Sequence, residues 1–156
     1  MLRLLFAVLL LLGCGLSAER TQAQELRTYT KAAAFDDVKF ELNNAIIAKG
    51  LVVEATGAIG AMLARTGADV GSTKPIYKNA EYMTFCSAIY SRRMMEADPG
   101  NVGYCPYVVF IYEREDKPGE IVVGFRRPPQ TGSEASRKAF ADIDKLLDDI
   151  VREATQ

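Results

Sequence analysis

Three observations make the chain read as an α+β domain rather than a doubly wound sheet. Strand-like and helix-like segments alternate only a few times before two strands follow one another around "REDKPGE" (residues 114–120). A doubly wound fold needs more strand–helix repeats than that. The chain then closes on a long amphipathic helix from Ser133 to about Glu153. In it Phe140, Ile143, Leu147, Ile150 and Ala154 recur at spacings of three and four. A length of 156 residues suits one core and is too short for two comfortable ones, so residues 24–156 are read as a single α+β domain.

The elements follow in order. "LRTYTK" (26–31) is a short opening strand, and "FDDVKFELNNAIIAKG" (35–50) is a helix. Asp36 is placed to cap it, with Phe35 and Phe40 spaced for a hydrophobic staple. Val38, Leu42, Ala45 and Ile46 form its apolar face, and Gly50 sits where a left-handed residue closes a helix. "LVVEA" (51–55) reads as a compact strand. In residues 56–75 the glycines suggest a phosphate loop, but Ser72 and Thr73 separate Gly71 from Lys74, which breaks the Walker A spacing. Ile59, Met62 and Leu63 make a brief helical pattern there, stopped at Gly67.

"IYKNAEYMTFC" (76–86) is an aromatic-rich strand, and "SAIYSRRMMEAD" (87–98) is a helix capped by Ser87. Asp98-Pro99-Gly100-Asn101 signals a turn. "YCPYVVFIYE" (104–113) is a long strand whose Pro106 marks an edge or an irregularity at its start. "IVVGFRR" (121–127) is the second arm of the hairpin, and Pro128-Pro129 ends it.

Composition narrows the partners. Half the residues are hydrophobic (49%) and a quarter charged (25%), with a net charge of −1, the profile of a globular domain. That balance gives no reason to expect nucleic acid or an anionic membrane surface. Arg92-Arg93 and Arg126-Arg127 are too short to be basic patches and read as solvated surface.

The first residues point to export. Arg3 is followed by an apolar run from Leu4 to Leu12 and then a small, polar segment, the layout of a secretory signal. The run falls short of the roughly 20 residues that cross a bilayer. Two processing routes fit. Thr21-Gln22-Ala23 allows cleavage after Ala23, making residues 1–23 a signal peptide. Leu11-Leu12-Gly13-Cys14 resembles a lipobox, in which the signal is 1–13 and Cys14 carries the lipid. The expected location is the bacterial periplasm, free or lipid-anchored.

The chain contains no histidine. That removes imidazole-based serine and cysteine hydrolases, histidine-ligated zinc and ordinary haem ligation. No Cys-x-x-Cys pair exists, so thioredoxin-type chemistry lacks its motif. Asp36-Asp37 lies at a helix start, where capping and the helix dipole account for both. No catalytic residue, metal ligand or cofactor is assigned.

Residues 83–105 carry Met83, Cys86, Met94, Met95 and Cys105. Thiolate and thioether select Cu(I), and Met83-x-x-Cys86 is an acceptable spacing. Methionine and cysteine are also common core fillers, and adjacent Met94 and Met95 are about 100° apart on a helix. Cys86 and Cys105 are also disulfide candidates, since an oxidising compartment favours pairing of an even number. Geometry leaves that open. Parallel strands would separate the two cysteines by about 30 Å, beyond the ~7 Å reach of a bridge, whereas antiparallel strands would bring them together.

"GLVVEATGAI", "NAEYMTFCSAIYSRRMMEADP", "YCPYVVFIYE" and "EIVVGFRRP" resemble the bacterial family named domain of unknown function 302. The resemblance covers roughly Arg27 to Pro128, with the last helix compatible. It implies an antiparallel sheet backed by helices, of the TATA-binding-protein-like class, and brings no catalytic residues. Cys86 matches the family's strand-to-helix cysteine, with Ser87 in place of the usual asparagine. The family's other cysteine follows the proline, where this chain has Tyr107; Cys105 precedes Pro106 instead. A one-residue shift turns a strand side chain to the other face, so the family implies no pairing here.

The expected function is a non-enzymatic periplasmic domain that binds a small ligand or a protein partner, using a sheet face rich in tyrosine (Tyr77, Tyr82, Tyr104, Tyr107, Tyr112). The sheet or last helix could also form a homodimer. The alternative is a thiol/disulfide or copper-handling protein acting through Cys86 and Cys105.

Overall fold

A computed structural model describes residues 25–156. The proposed signal segment, with Cys14 and both processing sites, lies outside the described residues. Among the described residues there are five strands: β1 (Leu26–Ala32), β2 (Ala55–Gly57), β3 (Tyr77–Phe85), β4 (Tyr107–Arg114) and β5 (Glu120–Arg126). They form one sheet in the order β1-β5-β4-β3-β2, with every neighbouring pair antiparallel. The α+β expectation is met: helices α1 (Phe35–Ala48), α3 (Ala88–Ala97) and α4 (Glu134–Thr155) share the sheet's core. Helix α2 (Ile59–Thr66) packs elsewhere and buries no residue of its own.

Strand alternation explains the layering. Along β4 the odd positions Tyr107, Val109, Ile111 and Glu113 are buried, and Val108, Phe110 and Tyr112 are half-buried on the opposite face. The buried parity meets Met83 and Phe85 of β3, and Ile121, Val123 and Phe125 of β5, beneath the helices. The stripe on α4 does what its period implies, with Phe140, Ile143, Leu147, Ile150 and Ala154 all buried. Each large side chain removed from water there contributes about 1.5–3 kcal/mol. Ser87 caps α3, accepting from the Tyr90 amide, and Ser133 caps α4 through the Ser136 amide. Gly50 takes the left-handed conformation at φ 74°.

Several local expectations are corrected. Ala34, not Asp36, precedes the first turn of α1, and no side chain caps it. Phe35 is itself the first helical residue and turns into the core, while Phe40 is exposed, so no staple forms. Residues 51–54 are not a strand. Leu51 and Val53 pack on the core and Val52 points out, but no strand pairs with them until the Glu54 amide donates to the Thr84 carbonyl. Ladder pairing then runs over Ala55–Gly57. The 98–101 turn tightens into a 3₁₀ helix over Pro99–Tyr104, capped by Asp98, whose Oδ1 accepts from the Gly100 amide. This helix and a cis Cys105–Pro106 peptide delay β4 until Tyr107.

Candidate functional site

The face of the sheet away from the three core helices carries the larger concavity. Tyr82, Phe110 and Tyr112 lie on this face, because β3 and β4 pair Tyr82 with Phe110 and Ala80 with Tyr112. Tyr112 stacks beside Phe110, with ring centroids 6.3 Å apart and 18° between planes. Tyr77 meets Tyr112 edge-on at 5.5 Å. Aromatic pairs in these arrangements add about 0.5–1.5 kcal/mol beyond area burial.

Two glycines keep this floor low. A β-carbon on Gly57 would collide with the Tyr82 ring, which lies over it. A β-carbon on Gly124 would come within 2.6 Å of Cζ of Phe110. Glycine inside a strand marks such close approach, and here it lets aromatic rings lie along the sheet instead of standing away from it. Helix α2 closes one side: Gly60 approaches the backbone of Ala80 closely enough that a β-carbon there would sit 2.9 Å from the amide nitrogen.

Together these elements enclose a groove of about 1320 Å³, larger than the roughly 300–1,000 Å³ common for small-molecule pockets. Ile59 and Ile76 form its apolar wall and Leu26 one end, and all three are exposed. Charges sit on the rim. Asp116 pairs with Arg114, whereas Glu81, the register partner of Ile111, has its carboxylate held on the helix side by Lys39 of α1 at 2.7 Å. Lys74 and Arg126 also line the groove, and neither has an ion-pair partner among the described residues.

The tyrosines expected on one face are therefore divided. Tyr77, Tyr82 and Tyr112 line the groove. Tyr107 has the opposite parity and is buried, 3.0 Å from the Ser91 hydroxyl. Burial pushes its phenol up, against the Ser91 hydrogen bond. Tyr104 belongs to the 3₁₀ helix and packs edge-on against Phe140. The sequence does not single out Phe110, Gly57 or Gly124, and Arg126 reads from it as solvated surface. The one available signal was the parity of "YVVFIYER", which places Val108, Phe110, Tyr112 and Arg114 on one side.

Cys86 and Cys105 are joined, with sulfurs 2.01 Å apart and Cα atoms at 6.4 Å. The bridge follows from antiparallel pairing: Phe85, just before Cys86, pairs with Tyr107, just after Cys105-Pro106. Met83 and Met94 are buried within the core. The bridge therefore lies at one end of the β3–β4 pair, near Ser91, and does not line the groove.

A second polar cluster is structural in character. Arg127 donates from Nε and Nη2 to the two oxygens of Asp144, at 2.8 and 2.9 Å. Asp144 holds its guanidinium protonated well above the ordinary range. Tyr29 donates to Asp148 at 2.7 Å. Burial works against the Asp148 carboxylate, yet Tyr29 and Arg27 bring its pKa below the usual value.

Fold and site together define a small α+β domain with one helix-covered sheet face and one open, aromatic face. The profile of the family described as Domain of unknown function DUF302 matches residues 27–154, and the chain belongs to that family. It is also similar to a solved structure, the uncharacterized conserved protein DUF302 from Bacillus stearothermophilus. That likeness has a TM-score of 0.69 at 14% identity, and covers 83% of this chain and 97% of that one. At this identity it bears on the fold alone. No curated protein matches the chain in sequence.

Proposed function

We propose that this is an exported, non-enzymatic binding protein of the bacterial periplasm, and that it holds a small molecule on the open face of its sheet. The observation that carries the reading is the groove of about 1320 Å³ with an aromatic floor and exposed Leu26, Ile59 and Ile76 around it. Concave sites lined by aromatic and aliphatic side chains with a few polar groups are the usual setting for small ligands. Export rests on Arg3, the Leu4–Leu12 run and the segment up to Ala23. The mature chain is then free after Ala23 or anchored through Cys14.

Thermal unfolding across a panel of small aromatic and apolar compounds tests the binding reading. At least one compound should raise the midpoint of the wild type and fail to raise that of Tyr112→Ala. A panel that leaves the wild type unmoved would contradict it. Light scattering on the same sample addresses the competing occupant, a second copy of the chain. Cell fractionation with palmitate labelling tests export and the Cys14 anchor.

A second reading, thiol/disulfide or copper handling, draws on the Cys86–Cys105 bridge. In the bonded form neither sulfur is a thiolate, the form that holds a soft metal.

A further inference from the structure

Resting on that reading, we propose that the ligand is a planar aromatic or conjugated molecule carrying one carboxylate, with the ring system over Tyr82, Phe110 and Tyr112 and the carboxylate at Arg126. Three features of the groove point there.

The floor is built for a flat partner. Gly57 and Gly124 leave room for the Tyr82 and Phe110 rings to lie along the sheet. Rings in that orientation offer their faces, which favour offset stacking on another π system. A flexible aliphatic chain needs no such platform.

The groove is also long and electrically uneven. It follows β4 from Val108 to Arg114, about 20 Å at the rise of an antiparallel strand. At the Arg114 end, acidic Glu115 and Asp116 stand beside Arg114 and Lys74. At the other end Arg126 and Leu26 are register partners beside Val108, and among the described residues no acidic side chain lines the groove there. A guanidinium with no ion-pair partner among the described residues, next to an apolar surface, suits a single carboxylate, which it can grip with two parallel hydrogen bonds.

Finally, the neighbouring arginine is already committed. Arg127 is held by Asp144 and Glu25 and points to the helix side, leaving Arg126 as the cation at this end of the open face among the described residues.

The test uses fluorescence titration with pyrenebutyric acid, its methyl ester and lauric acid, the last by displacement. Wild type should bind the acid roughly tenfold tighter than the ester, the effect of one charge-assisted contact, and lauric acid more weakly than either. Arg126→Gln should erase the acid-over-ester preference while retaining ester binding. Gly57→Ala should weaken acid and ester alike, because the three atoms nearest its new methyl all belong to the Tyr82 side chain, whose ring must lift. Unchanged thermal unfolding of both variants separates these effects from misfolding. If acid and ester bind the wild type equally, or Arg126→Gln keeps the preference, the carboxylate assignment is overturned while the groove remains a binding site. Lauric acid binding as tightly as pyrenebutyric acid overturns the planar ligand. Failure of all three to bind overturns both this inference and the reading on which it rests.

Discussion

The ring of Phe110 lies over Gly124 of the neighbouring strand, so close that a β-carbon at 124 would stand 2.6 Å from its Cζ. The same β-carbon would meet the Arg27 carbonyl oxygen at 2.6 Å and Cγ2 of Thr28 at 2.8 Å. Gly124 thus serves the Phe110 part of the aromatic floor and the packing of the central sheet at once.

Gly124→Ala should therefore destabilise the domain by roughly 1–3 kcal/mol, the range for overpacking. Adding Phe110→Ala should recover only part of that loss, because the Arg27 backbone still blocks the methyl. Denaturant unfolding of the two single variants and the double variant measures the coupling. Full recovery would mean that Phe110 alone opposes the side chain.

Reducing the Cys86–Cys105 bridge should lower stability by about 3 kcal/mol, from the loop-closure relation applied to a separation of 19 residues. Chemical denaturation with and without reductant reads it, with intact mass after alkylation to score the bond. The groove should keep its ligand at temperatures where the reduced form remains folded, since the bridge lies at one end of the β3–β4 pair and outside the groove lining.

Acid should weaken the hairpin through Glu113. This buried carboxylate accepts from the Gly119 amide at 2.9 Å and from Asn79 at 2.8 Å, with Lys78 at 3.3 Å. The Gly119 amide, then Asn79, hold its pKa below the ordinary 4.5. A group depressed on folding stabilises the protein above its unfolded value and loses that contribution as pH falls through the folded one. Stability should accordingly begin to fall near pH 4.5 and continue downward. Glu113→Gln should be less stable at neutral pH and show a shallower acid limb.

Arg127→Lys should not be a conservative change. The two parallel contacts to Asp144 require a planar fork, and a lysine satisfies one oxygen at most. A loss of roughly 1–3 kcal/mol is expected for the charge-assisted pair, read by thermal or denaturant unfolding. Stability equal to wild type would show that Asp144 is served adequately by Arg27, 3.8 Å away.

How much of this was legible differs from element to element. The α4 stripe from Phe140 to Ala154 is a long, regular period, and a helix on a sheet is the packing such a period supports. The β4–β5 hairpin announced itself through Lys117-Pro118-Gly119. Strand order did not, because β1 and β5 are far apart in sequence and their pairing rests on long-range contacts. The groove was hidden for a related reason. Along "YVVFIYER" both parities are apolar, so alternation alone does not tell the helix-covered side from the open one. Alternation puts Tyr107 and Tyr112 on opposite faces, but which of the two is covered depends on where the helices pack. Gly57 and Gly124 carry no periodic signal, and their role appears only when the rings above them are placed. The "LVVEA" segment misled because β propensity describes a residue's fit to a pleated surface, and Leu51–Val53 has no neighbouring strand to supply one.

The most direct measurement of the central claim is a titration of the protein with pyrenebutyric acid, followed through the aromatic resonances of its tyrosines and phenylalanines. A ligand on the open sheet face should shift Tyr77, Tyr82, Phe110 and Tyr112, and leave Tyr29, Tyr107 and Phe140 on the helix side unmoved. Shifts confined to the helix-side rings, or none at saturating ligand, would contradict it.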